Sequence, residues 1–255
     1  MNKELNTIFP NPPREISLSD FDTNNIPKHV AVIMDGNGRW AKNQGKPRML
    51  GHKAGVKSVK EIVRCASDIG IKFLSIYSFS TENWSRPKEE VNKLMDLFAK
   101  SVLAEMDELH QNNVKIKLLG DISILPKKTI EAFNVATEMM KNNTGLTLMP
   151  AVNYGSRDEI LKAVSNIVKS KKFNEDNIDE LTQEEFSKFL YTNDVPDPEL
   201  LIRTSGEMRL SNFLLWQIAY SEIYITKTLW PDFNRYDFLK ALISFQNRNR
   251  RFGGI

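Results

Sequence analysis

At 255 residues, with 41% hydrophobic and 26% charged, the chain can bury a sizeable core and has the composition of an ordinary globule, not of a disordered or fibrous protein. A net charge of +3 is too small to point to nucleic acid. No apolar run reaches the roughly 18 residues of a membrane span, no signal peptide is read at the N-terminus, and a lone Cys65 cannot close an internal disulfide, so the expected compartment is the cytoplasm.

In chain order, residues 1–27 hold Pro10, Pro12, Pro13 and Pro27 among polar residues and read as a loosely ordered leader before a single domain over 28–255. The apolar run 29–34 predicts a buried strand. Val56, Val59, Ile62, Val63, Ala66 and Ile69 have helical spacing, and Gly70 predicts the stop of a helix over 50–69. A second strand follows at 72–79, then a long helix from Pro87 to about 111. Further strands are expected at 114–119, 146–152, 199–203 and 222–226, with helices at 126–140, 156–170, 182–190 and 235–248. Pro150 argues for an edge or a bulge, because it lacks the ladder donor. Strands alternating with helices predict an α/β fold, one domain with a largely parallel central sheet flanked by helices.

The stretch 35–48 carries the chemistry. Asp35 ends the first strand, where open parallel sheets bind ligands. Gly36 and Gly38 let the backbone approach an anion, and Arg39, Lys42, Lys46 and Arg48 surround it with positive charge. Three readings compete. Gly36 to Ala41 fits the G-x-G-x-x-A dinucleotide fingerprint. Asp35 could be a turn or cap residue, with the glycines as turn punctuation. Third, a carboxylate among cations suits Mg²⁺ bound jointly with phosphate oxygens. A second basic cluster, Arg203, Arg209 and Ser211 around Gly206, reads as a second anion pocket.

HVAVIMDGNGRWA resembles the signature of the cis-prenyltransferases, closest to the bacterial undecaprenyl diphosphate synthases. The resemblance recurs in SFSTENWSRP (78–87), in Asn153-Tyr154-Gly155, in DPELLIRTSGEMRLSN (197–212), in Trp230-Pro231-Asp232-Phe233 and in Arg250-Arg251-Phe252-Gly253-Gly254, so it spans about 28–254. It implies an enzyme that adds isopentenyl diphosphate units to farnesyl diphosphate with cis geometry, a hydrophobic tunnel, a Mg²⁺ cofactor, a homodimer and peripheral membrane association for product release. Gly36, Asn37, Gly38, Arg39, Trp40, Arg48 and His52 would hold the allylic substrate, with Asp35 placing Mg²⁺ on its diphosphate. Asn83 would act beside Asp35 in catalysis. Ser80, Thr81, Glu82 and Arg86 would bind substrate, and Trp84 would pack on the prenyl chain. Arg203, Arg209, Leu210 and Ser211 would bind isopentenyl diphosphate, and Glu222 would be a second metal-linked carboxylate. On the same resemblance, helix 88–111 lines the tunnel and Leu146 lies at its floor.

Structural readings stand beside some of these roles: Asn83 and Ser85 suit a helix start before Pro87, and Glu222 could form a structural salt bridge to Arg203 or Arg209. Ser156 departs from the family's Asn-Tyr-Gly-Gly-Arg pattern. Two rivals remain at this stage, a non-catalytic subunit of a prenyltransferase complex and a dinucleotide-dependent enzyme.

Overall fold

A computed structural model of the chain describes residues 4–174 and 176–248. Its centre is a six-stranded sheet of β1 (His29–Ile33), β2 (Phe73–Ser80), β3 (Lys115–Ile116), β4 (Thr147–Tyr154), β5 (Leu200–Arg203) and β6 (Glu222–Ile225). The strand order is β3-β4-β2-β1-β5-β6, and every pairing is parallel. All strands therefore point their carboxyl ends the same way. β1 lies between β2 and β5, where the chain's winding reverses, and such a switch point leaves a crevice beyond the strand ends.

The helices are α1 (Leu5–Ile8), α2 (Asn37–Asn43), α3 (Arg48–Ile69), α4 (Lys88–Gln111), α5 (Lys127–Met140), α6 (Ser156–Ser170), α7 (Gln183–Ser187) and α8 (Arg235–Gln246). β1 is buried on both faces, as its unbroken apolar run requires. On one face Val30, Val32, Leu74, Ile76 and Ile202 pack in a cluster with Ile62 and Val63 of α3, Trp230, and Phe238 and Phe245 of α8. On the other, Ala31, Ile33, Met149 and Ala151 meet Tyr154, Phe213 and Leu214. Gly70 stops α3 at φ 94°, as predicted.

Two expectations are corrected here. The leader is not loose over residues 5–27. Ile8, Phe9, Ile16 and Phe21 are buried in the main cluster, the Arg235 guanidinium donates to the Ile8 carbonyl at 2.9 Å, and Gln246 donates to the carbonyls of Asp22 and Asn25. Four apolar side chains spaced among prolines and polar residues carry no period, so the composition hid them. Pro150 lies in an interior strand, not at an edge, paired in register with Ile76. Its neighbours explain the tolerance. Residues 148, 150 and 152 of β4 turn their peptide groups toward β3, since Lys117 and Leu119 donate to the carbonyls of Leu148 and Pro150 and Val152 donates to Leu119. The donor Pro150 lacks would face the gap between Ile116, where β3 ends, and the Leu119 bridge. The register shifts beyond it on both strands, between Tyr77 and Phe79 of β2 and between Val152 and Tyr154 of β4.

Candidate active site

Asp35 follows β1 at the switch point. Its carbonyl accepts from the Thr204 hydroxyl at 2.6 Å and from the Trp230 amide at 3.0 Å, so the segments after β5 and β6 fix its backbone. Gly36 then turns at φ 112°, where a Cβ would stand 3.0 Å from the Leu229 Cα, so only glycine fits. That turn starts α2 and sets Arg39 one turn beyond Asp35.

The Asp35 carboxylate is held by two guanidiniums, Arg39 at 3.1 Å and Arg203 at 2.9 Å. Both contacts fall on Oδ2, leaving Oδ1 clear of them. Burial alone would raise its pKa. The hydrogen bond from Arg203 and the charge of Arg39 outweigh burial and hold the carboxyl below its usual range, so it is ionised at neutral pH.

Arg203 is only 4% exposed. It donates to the Ser211 hydroxyl at 2.7 Å and to the Arg209 carbonyl, and its buried Nε has no partner. The loop it grips is strained: Ser205, Ser211, Asn212 and Leu214 all have positive φ. Side chains from elsewhere hold it. The Tyr77 hydroxyl donates to the Ser211 carbonyl at 3.2 Å, the Ser156 amide donates to Asn212, and the Leu215 amide donates to the Ser156 hydroxyl at 2.9 Å. Ser156, the departure from the family pattern, is thus a buried anchor of this loop. Arg209 is more exposed and pairs with Glu207, which also takes Arg39 at 2.9 Å. Arg203 joins the two basic clusters through Asp35, so the two expected anion pockets lie side by side in one mouth.

β2 delivers the next group. Thr81–Ser85 forms a short 3-10 turn closed by a capping box between Ser80 and Asn83. Asn83 therefore caps this turn and also lines the mouth. Ser85 does not cap the following helix; its hydroxyl donates back to the Glu82 carbonyl at 2.7 Å, and Pro87 occupies the position before α4. Arg86 and Arg48 share Glu90, each at 3.3 Å. His52 lies near them. Burial first, then the Arg86 and Arg48 cations, push its pKa down to about 4, so it is neutral. Its Nε2 and the Asn37 Oδ1 are buried without a partner. Unsatisfied buried polar atoms cost about 1–3 kcal/mol each, and here they cluster where a polar ligand would satisfy them.

The mouth has a volume of about 1060 Å³. Of the expected site residues it gathers Asp35, Gly36, Asn37, Gly38, Arg39, Arg48, His52, Ser80, Glu82, Asn83, Arg86, Arg203, Arg209 and Ser211. Lys42 and Lys46, the other cations of the 35–48 stretch, line it too, as do Tyr77 and Asn212. Five expected residues do not, Trp40, Thr81, Trp84, Leu210 and Glu222. Trp40 donates to Asp232 at 2.7 Å, Thr81 to Asp158 at 3.0 Å, and Leu210 packs on the apolar cluster of the far sheet face. Trp84 stands behind Phe79, a mouth residue: its indole donates to Asn153 at 2.7 Å and the two rings pack nearly perpendicular.

The mouth leads into a narrow apolar cavity of about 180 Å³ between α3, α4 and the sheet, lined by Val56, Val59, Leu97, Phe98, Val102 and Leu148 among others. Met34, Asn37, His52, Ser78 and Leu94 belong to both. The greasy face of α4 is thus a cavity wall as well as core. Leu146 is buried in the main cluster beside this cavity and does not line it.

The metal role expected of Glu222 is not met within one chain. Glu222 begins β6, in register with Leu200, three residues below Arg203, or about 10 Å down the strands. It lies toward the opposite end of the sheet and pairs with Arg248 at 2.7 Å. The Arg250-to-Gly254 motif lies outside the described residues. Among those described, no three His, Cys, Asp or Glu side chains converge on a metal site, and no helix is long and apolar enough to cross a membrane.

Comparisons with known proteins agree with this geometry. A prenyltransferase family model, described as undecaprenyl diphosphate synthase, matches residues 33–253. An isoprenyl transferase of Clostridium acetobutylicum is 55% identical over 240 residues, 93% of each chain. The ditrans,polycis-undecaprenyl-diphosphate synthase ((2E,6E)-farnesyl-diphosphate specific) of Micrococcus luteus is 50% identical over 249 residues, covering 97% of this chain and 100% of that one. Among solved structures, lavandulyl diphosphate synthase from Lavandula x intermedia, in complex with dimethylallyl diphosphate, superposes with a TM-score of 0.85 at 38% identity, over 90% of this chain and 99% of that one. A basic mouth at the switch point, an apolar cavity behind it and these matches lead to one assignment: the chain belongs to the undecaprenyl diphosphate synthase family of prenyltransferases.

Proposed function

We propose that the protein condenses isopentenyl diphosphate units onto farnesyl diphosphate to make undecaprenyl diphosphate. The observation that carries this reading is the join of a cationic mouth to an apolar cavity through shared residues. A diphosphate needs convergent charged donors, and hydrogen bonds to charged groups contribute about 1.5–3 kcal/mol each. A prenyl tail needs the opposite surface, at about 0.8 kcal/mol per buried methylene.

Each residue's part follows from its place. Arg39, Arg48 and Arg86 hold the allylic diphosphate, with Asn37 and the neutral His52 at the neck where diphosphate meets hydrocarbon. As the allylic C–O bond breaks, negative charge grows on the departing diphosphate, and these guanidiniums stabilise it. Arg203, Arg209 and Ser211 hold isopentenyl diphosphate across the same mouth, so that its alkene reaches the allylic carbon. The new bond forms, a proton leaves, and the lengthened chain moves into the cavity.

A Mg²⁺ ion fits the donor set. Mg²⁺ takes one or two carboxylates plus substrate phosphates and water, and Asp35 offers an ionised carboxylate with one oxygen clear of its arginines. Asp35 would hold the ion, and bound there it would further neutralise the leaving diphosphate. A homodimer has a candidate face in the edge strand β6 and the turn before it, where Ile223 and Tyr220 are exposed.

Every mouth residue this chemistry needs is present, which sets the chain apart from a non-catalytic subunit. Incubation with radiolabelled isopentenyl diphosphate, farnesyl diphosphate and Mg²⁺, with products sized by chromatography, tests the reading. Labelled polyprenyl diphosphate of undecaprenyl length is expected. A folded protein that leaves the label in isopentenyl diphosphate refutes it.

A further inference from the structure

The apolar cavity is roofed by α3 and α4, and charged residues cross the seam between them. Lys60 of α3 lies 2.6 Å from Glu105 and 2.9 Å from Glu108 of α4, and Arg64 donates to Glu108. Residues 60 and 64 share one helix face, as do 105 and 108, so the four span about one turn, roughly 5 Å, of each helix. All four also line the cavity, beside Val63, Val102 and Leu109. A cavity of about 180 Å³ is below the range of about 300–1,000 Å³ that encloses drug-sized ligands. A long polyprenyl chain does not fit in it as it stands, so its walls, α3 and α4 among them, must yield as the product grows.

We propose that Lys60, Arg64, Glu105 and Glu108 form a latch across the α3–α4 seam that sets the chain length at which elongation stops. The inference rests on the elongation reading above. While the product is short, the latch holds the seam shut over it. As each added isoprene unit seeks apolar cover, the product presses on the seam. Exposed ion pairs are individually weak, and burial of an added isoprene unit is worth more than any one of them. The latch therefore shifts the stopping point by one or two units and does not block growth. It should also weaken with salt, because its charges are partly exposed.

The test is a charge reversal and its swap. Lys60→Glu with Arg64→Glu sets four carboxylates across the seam; adding Glu105→Lys and Glu108→Lys restores opposite charges in reversed order. In the radiolabel assay the reversed protein should lengthen the main product by at least one isoprene unit, and the swapped protein should return it to the wild-type length. Raising salt should lengthen the wild-type product in the same direction. An unchanged product in a folded reversed protein, or a shift the swap does not undo, overturns the latch. Binding of the apolar dye anilinonaphthalene sulfonate gives a readout that needs no turnover. The reversed protein should bind at least twice as much dye as wild type and the swapped protein should not; equal binding by all three also overturns the proposal. Wild type assayed in parallel reports on elongation itself, so failure of that reading is distinguished from failure of the latch. If the reversal prevents folding, Glu105→Gln with Glu108→Gln removes the attraction without adding repulsion and must show the same lengthening.

Discussion

Asp35 and Arg203 form the pair on which the mouth turns, and they differ in what their loss does. Asp35 is partly open, so Asp35→Ala should leave circular dichroism unchanged while reducing kcat more than tenfold, about 1.4 kcal/mol of barrier. A variant retaining more than a tenth of wild-type kcat would remove Asp35 from the chemistry. Arg203 is buried and bonded to Asp35, Ser211 and the Arg209 carbonyl at once. Arg203→Ala should therefore weaken both substrates, whereas Arg209→Ala, at the open rim, should raise KM for isopentenyl diphosphate and leave farnesyl diphosphate nearly unaffected. Steady-state kinetics with each substrate varied in turn decides this; equal effects of the two variants on both substrates would contradict the geometry. At this scale the motif stretches were legible, because glycines, a lone carboxylate and clustered cations have few other uses. Trp84 and Glu222 were not. Their types suited a site, but the direction of a side chain after a 3-10 turn, and the end of the sheet at which a strand starts, are set by the fold.

The helices α3 and α4 and the strand β4 show how closely elements are fitted around the cavity. A Cβ on Gly51 would stand 1.9 Å from the Asn37 carbonyl oxygen, backbone that cannot swing aside. Gly51→Ala should force α2 from α3 and destabilise the fold by about 1–3 kcal/mol, lowering Tm by roughly 2–4 °C per kcal/mol, as calorimetry would show. An unchanged Tm would mean that the two helices are not tightly docked. Leu146 and Val102 separate core from cavity wall. Leu146→Ala should cost about 2–5 kcal/mol of stability with product length unchanged, whereas Val102→Trp, which fills the cavity, should shorten the product. Chromatography of the products beside urea unfolding distinguishes the two; a lengthened product from Leu146→Ala would place the tunnel floor where the resemblance put it. Helix spacing and Gly70 made α3 readable from the sequence. The interior place of Pro150 was not, since it depends on which side of β4 faces the gap in β3.

Across the whole molecule, stability should respond to acid through His29. Its Nδ1 donates to the Pro196 carbonyl at 2.7 Å, which leaves Nε2 to accept from the Ser75 hydroxyl at 2.8 Å. The bond from Ser75 needs the neutral ring, and burial outweighs the Pro196 bond to lower the pKa from 6.5 to about 4. The unfolded chain takes up a proton near 6.5 while the folded chain does not, so this contribution is complete above pH 6.5 and is lost as pH falls toward 4. Between pH 7 and pH 5 it amounts to about 2 kcal/mol. Urea midpoints at the two pH values should show the loss, and His29→Gln should reduce it; the same pH dependence in that variant would assign it elsewhere. The α/β order was plain at this scale from strands alternating with helices. The packing of residues 5–27 was not, because their four buried side chains follow no period.

The central claim is that diphosphate and hydrocarbon are bound at opposite ends of one continuous site. A crystal structure with a non-cleavable farnesyl thiodiphosphate and Mg²⁺ tests it most directly. The diphosphate should lie among Arg39, Arg48 and Arg86, the metal on Asp35, and the farnesyl tail should run past Asn37 and His52 into the cavity between α3 and α4. A tail lying across the far sheet face or against Trp84, with the cavity empty, would contradict it.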